Sequence, residues 1–127
     1  MALNLKDAAD AAVVYTRYRF EGNKAVYIGP AHSDLIKDQI SLGSTSPKQT
    51  KETYGTRRST INVIRSIEVG APNVADNVVR DMKLEALASV PNGATFSEFS
   101  EHVARLVAAL SDPSVCEELF LVGKIDH

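Results

Sequence analysis

Thr56-Arg57-Arg58-Ser59-Thr60-Ile61-Asn62-Val63-Ile64-Arg65-Ser66-Ile67-Glu68-Val69 is the stretch on which the fold turns. Ile61, Val63, Ile67 and Val69 share one parity, and Arg58, Thr60, Asn62, Ser66 and Glu68 share the other. A period of two, with β-branched residues on one side, describes a strand with one face covered and one face wet. Ile64 and Arg65 fall on the wrong sides, which predicts a bend or bulge near the middle.

Toward the N-terminus, Asp34 to Leu42 reads as a short strand with Ile36, Ile40 and Leu42 on one face and Lys37, Gln39 and Ser41 on the other. Asp38 is the exception on the apolar side. Gly43 to Gly55 is polar, holds Pro47, and reads as a connecting loop. Further back, Ala12–Glu21 alternates imperfectly, Gly22-Asn23 supplies a turn, and Lys24–Ile28 returns as a second strand of a hairpin closed by Gly29-Pro30.

Toward the C-terminus, Gly70-Ala71-Pro72-Asn73 breaks the alternation and predicts an exposed loop. Val78 to Val90 is open between helix and strand, because Met, Leu, Glu and Ala favour helices. Met82, Leu84, Ala86 and Ala88 alternate with Asp81, Lys83, Glu85 and Ser89, and this favours strand for the later part. After the Pro91-Asn92-Gly93 turn, Thr95-Phe96-Ser97-Glu98 has capping-box spacing. Phe96, Phe99, Val103, Leu106, Val107 and Leu110 then recur at threes and fours, one stripe of an amphipathic helix that ends near Ser111. Asp112-Pro113 begins a second helix, with Val115, Leu119 and Phe120 on its apolar side. Leu119 to Val122 is a run of four apolar residues that needs a partner surface.

Strands followed by a helix pair make a two-layer α+β domain: an N-terminal β-hairpin and antiparallel sheet followed by two C-terminal α-helices. At 127 residues there is room for one domain, 1–127, with strands to about 90, helices over about 96–120 and a short tail. No apolar run approaches the roughly 20 residues of a membrane span. The start, Met1 to Asp7, lacks the basic and apolar regions of a secretory signal. Cys116 is the single cysteine, so no internal disulfide is expected and a cytosolic setting fits. The apolar face is covered within one chain or across a dimer, and open strand edges are satisfied by pairing with a second copy.

The net charge is −2, but its distribution is uneven. Lys37 to Arg65 holds six basic residues against Asp38 and Glu52, while Phe96 onward holds six acids against Arg105 and Lys124. One side facing a polyanion explains such a split, and so does chance clustering of solvated charges.

Several strings resemble the coat proteins of small single-stranded RNA bacteriophages of the levivirus type. They are Lys37-Asp38-Gln39-Ile40-Ser41-Leu42, Thr60-Ile61-Asn62-Val63, Met82-Lys83-Leu84-Glu85 and Pro91-Asn92-Gly93-Ala94-Thr95. Leu106 to Leu110 and Val115 to Lys124 are similar to that family's two helices and short apolar tail. The resemblance covers nearly the whole chain and rests on layout more than on one motif. It implies an N-terminal hairpin, a five-stranded sheet and helices that cross onto a partner, giving an interlocked homodimer. Such dimers close into an icosahedral capsid around single-stranded genomic RNA, assembled in the bacterial host cytoplasm, and bind an operator hairpin as translational repressor of the replicase. No membrane and no cofactor are implied.

Carried onto this chain, the RNA-binding positions are Lys37, Gln39, Ser41, Arg58, Thr60, Asn62, Asp81 and Lys83. Lysine and arginine neutralise phosphates, and the small polar groups hydrogen-bond base or sugar. Asp81 stands where the family carries a stacking aromatic. The inter-dimer loop falls at Gly70, Ala71, Pro72, Asn73, Val74 and Ala75. The helices of the dimer present Phe96, Phe99, Val103, Leu106, Val107 and Leu110.

The residues recommend no catalytic site. His32, His102 and His127 lack metal-ligand spacing, and no metal is expected. Glu98, Glu101, Glu117 and Glu118 read as first-turn helix acids, and no Gly-rich phosphate loop occurs. The bland alternative for the basic positions is a solvated sheet face. Two other functions stay open on sequence: a dimeric α+β RNA-binding regulator that never assembles, and a small dimeric α+β enzyme.

Overall fold

The structure is a computed structural model that describes residues 2–72 and 75–125. Six strands, β1 (Ala2–Lys6), β2 (Ala12–Glu21), β3 (Lys24–Ile28), β4 (Asp38–Thr45), β5 (Thr56–Val69) and β6 (Val78–Pro91), form one antiparallel sheet in chain order. Two helices follow, α1 (Phe96–Ser111) and α2 (Pro113–Glu117), and α2 runs into a π-helical turn at Glu118–Val122. Among the described residues, no helix is long and apolar enough to cross a membrane.

The β5–β6 ladder dominates the sheet. All fourteen residues of β6 pair with β5, from Val69↔Val78 to Thr56↔Pro91. Val78–Pro91 is therefore strand along its whole length, and ladder pairing overrides the helix preference of its Met, Leu, Glu and Ala residues. The bend expected at Ile64 and Arg65 is absent, because β5 pairs with both neighbours in unbroken register. The register shift lies instead between Arg17 and Arg19, where β2 meets β3. The hairpin β2–β3 is continuous with the sheet, and β1, which alternation did not reveal, extends it outward. Asp7 sets the β1–β2 turn: its Oδ1 accepts the N–H groups of Ala9 and Ala11, each at 2.9 Å.

The strand expected at Asp34–Leu42 begins later, at Asp38, and takes Gly43, Ser44 and Thr45 from the expected loop. The Ser33 hydroxyl accepts the N–H groups of Leu35 and Ile36 at 3.4 and 3.1 Å, and the Ser33 N–H donates to the Ile36 carbonyl at 2.8 Å. A local turn thus uses the backbone groups a strand would have needed, and Leu35 is left 89% exposed.

Val26, Tyr27 and Ile40 are buried at the centre of the sheet. Asp38 is buried on the side of Tyr27 and Ile40, whereas Val26 lies on the other side, opposite Ser41. A buried carboxylate needs donors. Its Oδ1 accepts the Tyr15 hydroxyl at 2.7 Å and its Oδ2 accepts the Ala31 N–H at 3.2 Å. Arg65 stands opposite in register. Gly29 leaves the room, since a Cβ there would lie 2.5 Å from Asp38 Oδ2 and 2.7 Å from Tyr15 Cε1.

Burial first, and the Asp38 carboxylate second, push the Tyr15 phenol up to about 12 from 10.0. Its folded value lies above its unfolded one, so this stabilisation is full below the unfolded value and fades as pH rises through the folded one. Tyr15→Phe is expected to cost about 1–3 kcal/mol at neutral pH by leaving the carboxylate short of a donor. It should also remove part of the alkaline loss of stability between about pH 10 and 12. Urea unfolding across that range measures both, and an unchanged alkaline slope would assign the pH dependence to another group.

Candidate nucleic-acid interface

The register sorts the strands into two faces. Gln39, Ile64 and Lys83 form one row across β4, β5 and β6. Ser41, Asn62 and Glu85 form the next, then Gly43, Thr60 and Leu87, then Thr45, Arg58 and Ser89. Rows two residues apart share a face. Lys37, just before β4, continues the set: its N–H donates to Ser66 Oγ at 2.9 Å, and its carbonyl accepts the Ser66 N–H at 2.8 Å. Asp81 is the partner of Ser66 on β6. All eight expected positions, Lys37, Gln39, Ser41, Arg58, Thr60, Asn62, Asp81 and Lys83, thus lie on one side.

The same side carries residues that sequence reasoning did not single out. Thr45, Ile64, Ser66, Glu85, Leu87 and Ser89 follow from the parity of their own strands. Lys24 faces the same way through its pairing with Gly43. Its orientation depends on β3–β4 register, which no pattern inside β3 reveals.

The charges on this side are partly paired. Lys37 Nζ lies 3.2 Å from Asp81 Oδ2, and Lys83 Nζ lies 3.6 Å from Glu85 Oε2. The Ser66 hydroxyl donates to Asp81 Oδ1 at 2.9 Å. That hydroxyl, ahead of the Lys37 ammonium, holds the Asp81 carboxyl below its ordinary value. Among the described residues, Lys24 and Arg58 have no ion-pair partner. They border an open recess of about 380 Å³ with Thr45, Thr60 and Asn62, and Asn62 Oδ1 is buried without a hydrogen-bond partner.

Over β5 and β6 the opposite face is largely apolar and exposed. Ile61 and Val63 of β5 are 49% and 37% exposed, and Met82 and Leu84 of β6 are 47% and 52% exposed. The expected stripe on α1 forms as a helix face, but Phe96, Phe99, Val103, Leu106, Val107 and Leu110 are all exposed. Between α1 and the end of β6 lies an open cleft of about 480 Å³ that includes Leu87, Val90, Phe99, Val103 and Leu106. Both expected caps form: Thr95 Oγ1 accepts the Glu98 N–H at 3.2 Å, and Asp112 Oδ1 accepts the Ser114 N–H at 3.0 Å. Gly70, Ala71, Pro72 and Ala75 lie in the connection between β5 and β6, while Asn73 and Val74 of the expected inter-dimer loop lie outside the described residues.

No protein-family model matches the chain, and no curated protein matches it in sequence. Solved structures match it closely in shape. A chain from the virus-like particle of Beihai levi-like virus 32 superposes with a TM-score of 0.78 at 20% identity, covering 90% of this chain and 88% of that one. One from the virus-like particle of Wenzhou levi-like virus 4 gives 0.75 at 23% identity, covering 89% and 78%. One from the virus-like particle of bacteriophage AVE019 gives 0.75 at 12% identity, covering 99% and 97%. The six-stranded sheet with two C-terminal helices is the RNA-phage coat protein fold of the levivirus type.

Ser66→Ala and Lys37→Ala are each expected to raise the Asp81 pKa toward its ordinary value, because each removes a hydrogen bond that favours the carboxylate. Carboxyl-carbon NMR titration of the two variants measures both shifts, and an unmoved Asp81 in either would rule out that contact in solution.

Proposed function

We propose that the protein is a structural capsid subunit that dimerises and assembles into an icosahedral shell around single-stranded RNA. The observation that carries this reading is a pair of bare apolar surfaces, on β5–β6 and on α1, in a chain with the fold of virus-like-particle subunits. Contiguous apolar surface of this kind marks an interface. The β6 edge is fourteen residues long and has no proline before Pro91, so it invites a second strand.

In the proposed homodimer the two β6 edges meet and α1 of each subunit lies over the apolar sheet face of the other. Phe99, Val103, Leu106, Val107 and Leu110 supply the contact. The loop around Gly70, Ala71, Pro72 and Ala75 joins dimer to dimer. The polar side, with Lys37, Gln39, Ser41, Arg58, Thr60, Asn62, Asp81 and Lys83, then faces the packaged RNA. The dimer also binds an RNA hairpin and so represses translation of the replicase. The role is structural rather than enzymatic, and the protein resides in the virion after assembly in the bacterial cytoplasm.

Electron microscopy of purified protein is expected to show particles on the order of a few hundred ångströms across, the size of a closed shell of many dimers. The double variant Val103→Asp, Leu106→Asp should abolish both particles and dimers while its circular dichroism keeps the strand and helix signal. A wild-type protein that stays a discrete dimer would defeat the shell and favour a dimeric RNA-binding regulator.

A further inference from the structure

We infer that RNA is held chiefly at the Lys24–Arg58 end of the polar face, through its sugar-phosphate backbone, and that Asp81 and Glu85 restrain the other end. This inference rests on the proposed RNA-facing role of that side. Phosphate binding is set by the cations free to replace counterions. Lys37 and Lys83 each have an acid within 4 Å on the same face, at 3.2 and 3.6 Å. A phosphate approaching either lysine must compete with a carboxylate already in place. Lys24 and Arg58 have no acid within 4 Å among the described residues; Glu21, opposite Lys24 in register, lies against Arg19 at 3.9 Å instead.

The recess beside them suits a ribose and its phosphate. Thr45 and Thr60 bring hydroxyls, and Asn62 Oδ1 is a buried acceptor that lacks a donor. A ribose 2′-hydroxyl is a donor of suitable size. Gly43 keeps the recess open, because a Cβ there would sit 3.1 Å from Thr60 Oγ1. Reading of unpaired bases generally uses an aromatic ring or an Arg guanidinium plane as its platform. The rows of this face across β3 to β6 contain no aromatic residue, and Tyr27 points to the other side. With Arg58 engaged by phosphate, these rows offer no stacking platform, so the contacts are to the backbone, and a hairpin is recognised by its folded shape rather than by its base sequence.

The acids make the inference testable by gain as well as by loss. Full-length protein is titrated with fluorescent oligo-uridylate and oligo-adenylate of equal length at several salt concentrations. The two RNAs are expected to bind within about threefold of each other, since phosphate contacts carry no sequence information. Lys24→Ala with Arg58→Ala should lower both affinities about tenfold or more and flatten the salt slope by about 1.4, the value for two phosphate contacts on a single strand. Asp81→Asn with Glu85→Gln should strengthen binding several-fold and steepen the slope.

Lys37→Ala with Lys83→Ala should weaken binding less than the Lys24 and Arg58 pair does. The reverse ranking, a weakening on removal of the acids, or a tenfold preference for one RNA overturns the inference. Wild-type protein that binds neither RNA at low salt overturns it together with the RNA-facing role. Particle formation, followed separately by electron microscopy, tells loss of RNA binding from loss of assembly.

Discussion

The β5–β6 ladder is the constraint on which the rest of the molecule depends. Fourteen pairs in unbroken register permit one relation between the two strands, because a slip by one residue would exchange their faces. With β4 locked to β5 over eight further pairs, the parity of β5 becomes the parity of the whole central sheet. Arg58, Thr60 and Asn62 are then committed to one side, and Ile61 and Val63 to the other. The polar surface and the bare apolar surface are two consequences of a single register.

Asp38 shows how that register absorbs an exception. Alternation puts an acid on the apolar side, where an unpaired carboxylate would be costly. The cost is met by the Tyr15 hydroxyl from β2 and the Ala31 N–H from the β3–β4 connection. The same contacts tie β2 to β4 across the intervening β3, with Gly29 providing clearance. The residue that looks misplaced in the sequence is thus a cross-sheet fastening. Arg65, equally misplaced in the pattern, stands opposite it in register.

On the polar side, the pairing of charges matters more than their number. A segment rich in lysine and arginine suggests a uniformly basic surface, yet Asp81 and Glu85 from β6 lie against Lys37 and Lys83. Exposed pairs of this kind add little stability. Their larger consequence is for an approaching polyanion, which meets a surface graded from neutralised at the β6 edge to cationic toward Lys24 and Arg58. If two β6 edges meet in a dimer, the neutralised zone falls at its centre.

The sequence by itself determined the strands-then-helices order, the extent of β5 at Thr56–Val69 and the caps at Thr95 and Asp112. These features are local: alternation, helical spacing and side chains that serve nearby backbone groups. It also determined that Lys37, Gln39 and Ser41 share one side of their segment and Arg58, Thr60 and Asn62 one side of theirs, since parity within a strand survives folding, while the β4–β5 register put both sets on the same face. Only the tertiary structure decided where β4 begins, because the Ser33 turn competes for backbone donors that a pattern does not count. It alone brought Lys24 to the polar side, relieved Asp38, and set Asp81 against Lys37. Each depends on register between segments distant in the chain, 44 residues apart for Lys37 and Asp81, and no periodicity within one strand encodes it.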